Sequence, residues 1–305
     1  MSTRTIGGSD VAAILGFSPW TTPFEAWHSI MYGRTSAASE VTDRGNWLEP
    51  VLLERYGREV SPIVQTQVEA TGREPWMSGH LDAVAQNRRI VEAKTDAMGR
   101  WAPTGTVIER WPETEETPVP AYYASQGYWY MEITGMDAVD FAVLQGRLEY
   151  RVVTLLRDEK IQARIVSLVA EWRERHIVTE TPPPVDWSAA ARSYASRTLP
   201  TGKALSEPTP EQVQMVLRHA EISRHLKELE LEKDTLSNRL LLELGESYGY
   251  KLPGKGKLIA PAIKGRRTYD LDKLEADHPG LLAAYARTGE PTRQVRTYGL
   301  GDDNE

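Results

Sequence analysis

Ser78-Gly79-His80-Leu81-Asp82-Ala83-Val84-Ala85-Gln86-Asn87-Arg88-Arg89-Ile90-Val91-Glu92-Ala93-Lys94-Thr95 reads as two strands joined by a tight turn. Strand-forming residues fill both arms (76–85 and 89–95), and Gln86-Asn87-Arg88 supplies the turn. Side chains two apart on a strand share a face, so Glu92 and Lys94 point the same way. A turn centred on Asn87 sets Asp82 directly opposite Glu92, with Cβ atoms about 4.5–5.5 Å apart.

Two facing carboxylates repel each other unless a cation lies between them. Ala93, between Glu92 and Lys94, turns its side chain to the apolar layer and can offer its carbonyl oxygen as a further ligand. Lys94 is a point charge suited to orienting a water or stabilising charge on a reacting phosphate. The apolar Ile90-Val91 lead-in makes this a central strand, where buried charges need a partner or a task. Spacing alone also admits a plainer arrangement, a solvated hairpin with a Glu92–Lys94 pair on its wet face.

Around the hairpin the pattern is that of a mixed α/β domain over residues 1–178. Gly7-Gly8-Ser9-Asp10 precedes a short apolar helix (11–15), with Ser9 as the expected N-cap. Pro23 opens a helix carrying Phe24, Trp27 and Met31. A third helix (43–56) presents Leu48, Val51, Leu52 and Tyr56. Strands are expected at 64–69, 140–144 and 149–155, and an aromatic-rich helix at 121–133. Asp158 caps an amphipathic helix in which Ile161, Ile165, Leu168, Val169 and Trp172 recur on one face. The Pro- and Glu-rich run 99–120 reads as a long loop.

Residues 179–210, with six prolines, read as an extended linker. Residues 211–305 read as a helical extension. Its first part (211–245) places Ile222, Leu226, Leu229, Leu236 and Leu240 on a heptad seam interrupted by Lys233. A basic hairpin region and short terminal helices follow.

Composition narrows the chemistry. The 305 residues contain no cysteine, which excludes disulfides, thiolate nucleophiles, Cys-ligated zinc and iron–sulfur clusters. None of the six histidines has the spacing of a zinc helix motif, so a metal would sit on oxygen ligands, which favours Mg2+, Mn2+ or Ca2+. No apolar run approaches the roughly 18 residues of a membrane span, and the N-terminus lacks a signal-like apolar stretch. A cytoplasmic protein is expected. The net charge of −7 excludes a uniformly basic nucleic-acid coat but leaves room for a local basic track.

Further residues add to the hairpin. Gln126 and Tyr130 are i, i+4 on the aromatic helix. Glu49 lies in Arg44-Gly45-Asn46-Trp47-Leu48-Glu49-Pro50, at the edge of an apolar stripe. Gly7-Gly8-Ser9 at a helix start offers free backbone N–H groups to an anion. In order along the chain, these stretches resemble the YqaJ-type viral recombinase (lambda-exonuclease-like) family of the PD-(D/E)xK nuclease superfamily. The resemblance is carried by residues 6–16 with Ser18-Pro19-Trp20, Arg44-Gly45 with Leu48-Glu49-Pro50, Gly79-His80-Leu81-Asp82, Val91-Glu92-Ala93-Lys94-Thr95, and Tyr122-Tyr123 with Gln126, Tyr130-Met131 and Thr134-Gly135. It covers about residues 4–178. It departs from the family pattern at His80-Leu81, where a proline usually precedes the aspartate.

The resemblance implies an α+β core of restriction-endonuclease type, with a mixed central sheet flanked by helices. It implies a Mg2+-dependent deoxyribonuclease that digests double-stranded DNA 5′ to 3′ from an end by a two-metal mechanism, working as a homo-oligomer, a trimer in the best-known members. Asp82, Glu92 and the Ala93 carbonyl would hold metal, with Glu49 nearby. Lys94 would position the attacking water, and Gln126 and Tyr130 would serve the metal-site neighbourhood. Ser9, with Arg4 as the candidate upstream arginine, would meet the terminal 5′ phosphate. Lys255, Lys257, Arg266 and Arg267 are candidates for a DNA-binding track. A structure-specific endonuclease, an inactive DNA-end binder, and a scaffold whose 211–245 helix recruits a single-strand annealing protein remain as alternatives.

Overall fold

The computed structural model describes residues 4–33, 40–95, 111, 119–145, 149–289, 291 and 293–296. Most of the long 99–120 loop lies outside the described residues. The chain divides into two compact units, Met1–Ala195 and Ser196–Glu305.

In the first unit, helices α1 (Gly8–Ile14), α2 (Pro23–Tyr32) and α3 (Glu40–Glu59) precede strands β1 (Ile63–Thr71), β2 (Ser78–Ala85) and β3 (Ile90–Thr95). Helix α4 (Ala121–Thr134) leads to β4 (Ala138–Gln145), β5 (Glu149–Leu156), α5 (Glu159–Arg173), a π-helical turn (Glu174–Val178) and α6 (Ala189–Ser196). The five strands form one sheet in chain order. Only β3 and β4 run parallel, because α4 carries the chain back between them; the other neighbours are antiparallel. The expected mixed sheet flanked by helices is therefore present, with β3 at its centre.

Strand alternation sends residues to two cores. On one face Ala83, Ala85, Val91 and Ala142 pack against Leu52, Leu53 and Tyr56 of α3. On the other, Ile90, Val139, Phe141 and Val143 meet Val11 of α1, Trp129 and Met131 of α4, and Ile165 and Val169 of α5. Leu53, not the expected Val51, faces the sheet; Val51 is exposed. Capping follows the sequence at α5, where Asp158 accepts from Lys160 and Ile161, and α2 opens at Pro23 behind a reciprocal Thr22–Glu25 box. At α1 it does not. Gly7 is the N-cap and Ser9 lies inside the first turn, because the Asp10 carboxylate reaches back to the Gly7 N–H at 2.9 Å.

The stretch expected as an extended linker holds α6. Its Ala191 is buried and its Tyr194 ring packs edge-on to Phe24 and Trp27 of α2. The aromatic contacts of one short helix thus fix part of this proline-rich run to the first unit.

In the second unit α7 (Pro210–Leu244) opens with a Thr209–Gln212 capping box. Its seam residues Ile222, Leu226, Leu229, Leu236 and Leu240 are all exposed. A hairpin of β6 (Gly249–Leu252) and β7 (Gly256–Ile259), then α8 (Leu271–Asp277) and α9 (Leu281–Tyr285), follow. Among the described residues no helix is long and apolar enough to cross a membrane.

Candidate functional site

The β2–β3 register fixes the site. Ala83 faces Val91 and Val84 faces Ile90, the register that sets Asp82 opposite Glu92. The backbone ladder ends at Ala83 and Val91, and side chains replace it. Asp82 Oδ2 accepts the Ala93 N–H at 2.9 Å, and Glu92 Oε1 accepts the Asp82 N–H at 3.3 Å. Each carboxylate thus satisfies a backbone donor of the opposite strand while leaving its other oxygen on the site.

Lys94 shares the Glu92 face and donates from Nζ to Glu92 Oε2 at 2.7 Å. Glu92 is 1% exposed and the Lys94 side chain 14%, so the pair is nearly dry. Burial pushes the Glu92 carboxyl up, to about 7, against the pull of Lys94. Burial would lower the Lys94 ammonium, but the Glu92 and Asp82 charges outweigh it and hold Lys94 charged. Two buried opposite charges are tolerated because each neutralises the other.

Helix α4 supports this pair. Gln126 Nε2 donates to Glu92 Oε2 at 3.3 Å and to Tyr130 Oη at 2.9 Å. Tyr130 donates to the His80 carbonyl at 2.9 Å, and Trp129 Nε1 donates to the Ser78 carbonyl at 2.9 Å. These bonds clamp α4 onto β2. Burial, with the Glu92 charge, raises the Tyr130 phenol far above its ordinary range. Tyr130 is thus favoured as a neutral donor to the His80 carbonyl.

The glycines of two motifs meet here as well. A Cβ on Gly8 would lie 2.4 Å from Tyr130 Cε1, and one on Gly79 would lie 3.1 Å from the same ring. Gly8 thus serves close packing of α1 on Tyr130, a role its place in an anion-binding pattern did not reveal.

Glu49 sits on α3 within reach of the same charges. Burial and Asp82 raise its carboxyl, while Lys94 and His80 pull it back. Glu49 Oε1 accepts from Gln67 Nε2 at 2.6 Å. Sequence reasoning missed Gln67, since a glutamine in an exposed strand carries no signal of its own. The remaining candidates are carried by other elements. Ser9 is exposed in the first turn of α1, and Arg4 is ion-paired with Glu180 at 2.8 Å. Lys255, in the β6–β7 turn, and Lys257, Arg266 and Arg267 are exposed and belong to the second unit.

The donors that converge are oxygens: two carboxylates, with a third nearby on α3. Among the described residues no three His, Asp or Glu side chains form a close metal-binding group. A backbone carbonyl and water would have to complete a coordination shell. That donor set suits Mg2+, which binds through one or two carboxylates and keeps several waters.

Comparison with known proteins gives three kinds of match. The chain is 24% identical over 311 residues to the uncharacterized protein YqaJ of Bacillus subtilis (strain 168), covering 97% of this chain and 91% of that protein. Among solved structures it is similar to an alkaline exonuclease from Laribacter hongkongensis: 19% identity, 58% of this chain, 90% of that one, TM-score 0.45. A phage-related exonuclease from Haemophilus somnus 129PT matches at 12% identity over 58% of this chain and 96% of its own, TM-score 0.40. Residues 1–137, which hold α1 to β3, the Asp82–Glu92–Lys94 cluster and the helix that braces it, match the model of the YqaJ-like viral recombinase domain. The N-terminal part of this chain is thus similar to the YqaJ-like viral recombinase domain.

Proposed function

We propose that the protein is a divalent-cation-dependent deoxyribonuclease of phage-type recombination, digesting double-stranded DNA 5′ to 3′ from an end. The observation that carries this reading is the convergence of Asp82, Glu92 and Lys94 where the β2–β3 ladder opens. A dry carboxylate–ammonium pair is costly for a merely structural role, and perturbed charged groups of this kind gather at functional sites.

Asp82 and Glu92, with the Ala93 carbonyl and Glu49, would hold Mg2+ or Mn2+. The Ala93 N–H faces Asp82, and on an extended strand the carbonyl of the same residue points to the same edge. The bound cation supplies charge stabilisation on the attacking and leaving oxygens of a phosphodiester. Lys94 keeps its proton, so it orients a water and offsets negative charge; it does not act as a base. Gln126 and Tyr130 fix the Glu92 carboxylate. Contacts of Ser9 and Arg4 with a 5′ phosphate, DNA binding by Lys255, Lys257, Arg266 and Arg267 and a homo-oligomeric assembly are proposed on the resemblance and on charge, and a single-strand annealing partner belongs to the alternative in which the 211–245 helix recruits it. Arg4 would have to release Glu180 to serve this way.

The test compares a 5′-labelled linear duplex with a covalently closed circle, with Mg2+ and with chelator. The linear duplex is degraded, the circle survives, and chelator stops the reaction. Cutting of the circle at a similar rate would make the protein an endonuclease, and no cutting of either would overturn the reading. The same assay carries a pH signature. Metal needs the ionised Glu92, whose carboxyl is pushed up to about 7, so protons compete below neutrality. The Mg2+ needed for half-maximal rate falls from pH 6 to pH 8; a constant requirement would contradict a proton on Glu92.

A further inference from the structure

β1 contains a residue in the left-handed region that is not glycine: Gln67, with φ +53°. Arg88 and Glu180 share that sign among the described non-glycine residues, but Arg88 belongs to the β2–β3 turn and Glu180 follows the π-helical turn. Gln67 lies inside a strand. Left-handed backbone is strained for a side chain with a Cβ, and it persists where the surroundings dictate it.

The register shows what this position neighbours. Thr66 faces Ala83 and Val68 faces Leu81, so position 67 lies across from Asp82, whose other neighbour is Glu92. Gln67, Asp82 and Glu92 occupy one row across three strands. The Gln67 side chain crosses to α3, where its amide donates to Glu49 at 2.6 Å. The Glu49 carboxyl on α3 feels both Asp82 and Lys94.

We infer that Gln67 is a positioning residue for the nuclease reaction: its left-handed backbone aims the amide at α3 and holds the Glu49 carboxylate within reach of Asp82 and Lys94. This rests on the nuclease reading above. The residue type fits the task. A glutamate at 67 would repel Glu49, and a lysine would neutralise it. Asparagine, which tolerates the left-handed region better, is one methylene short of the same reach. Glycine would relax the backbone and lose the bond.

That last contrast is the experiment. Gln67→Gly is expected to melt at or above the wild-type temperature, because the strain is gone. Its half-maximal Mg2+ concentration, read by cleavage and by calorimetric Mg2+ titration, is expected to rise about tenfold or more, as for other partners that orient metal ligands. In a Glu49→Gln background, Gln67→Gly is expected to add less than twofold. A stable Gln67→Gly protein with unchanged Mg2+ requirement would overturn the inference, as would an equal shift in both backgrounds. Wild-type protein that cuts no DNA overturns the nuclease reading and this inference with it; cleavage with an unmoved Mg2+ requirement overturns this inference alone.

Discussion

Glu92→Gln is expected to reduce DNA cleavage by about a thousandfold or more, corresponding to about 4 kcal/mol of transition-state stabilisation. The substitution keeps the shape of the side chain and an amide oxygen for the Asp82 N–H, which the carboxylate now accepts at 3.3 Å. It removes the charge that offsets Lys94 and that a cation requires. Asp82 remains close enough to act on the Lys94 ammonium, so the buried cation is not left alone. The sheet should therefore fold, with a thermal midpoint that stays measurable by circular dichroism. Cleavage within tenfold of wild type in Glu92→Gln protein would show that the site does not use this carboxylate.

The second large effect is on stability and lies on the other face of the sheet. Asp140 is fully buried and accepts from Tyr56 Oη at 2.6 Å, Thr154 Oγ1 at 2.6 Å and Arg89 Nη1 at 3.0 Å. These partners come from α3, β5 and the turn before β3, so one carboxylate ties three elements to β4. Burial, then the bond to Asp140, raises the Tyr56 phenol well above its ordinary range, and Tyr56 stays a neutral donor. Asp140→Ala is expected to cost about 3–5 kcal/mol, because it leaves a buried hydroxyl and a guanidinium without their acceptor. Urea unfolding measures it. Arg89→Ala should cost less, since the Arg89 side chain is 38% exposed and Asp140 would keep the Tyr56 and Thr154 hydroxyls as donors. A loss under about 1 kcal/mol for Asp140→Ala would mean that the packing of Leu52, Leu53 and Tyr56 alone holds α3 in place.

What the sequence made legible was local. The turn at Asn87 fixed which residues face each other, and alternation put Glu92 and Lys94 on one face. The i, i+4 spacing put Gln126 and Tyr130 together, which is why they share a hydrogen bond. Periodicity does not show what lies far along the chain. The Tyr56–Asp140 bond spans 84 positions, and Gln67 reaches Glu49 through a backbone angle that its residue type does not announce. Ser9 looked like the helix cap because serine is a good one, yet Asp10 has the reach to close on Gly7. The proline-rich run after residue 178 looked extended because prolines dominate it; the aromatic ring of Tyr194 packing on α2 is a tertiary fact.

The account stands on a cation held between Asp82 and Glu92. Crystals grown with Mn2+ test it directly through anomalous scattering. The predicted result is a peak within about 2.5 Å of a carboxylate oxygen from each of the two residues. Millimolar Mn2+ with no peak there, or a peak at some other group of side chains, would contradict it.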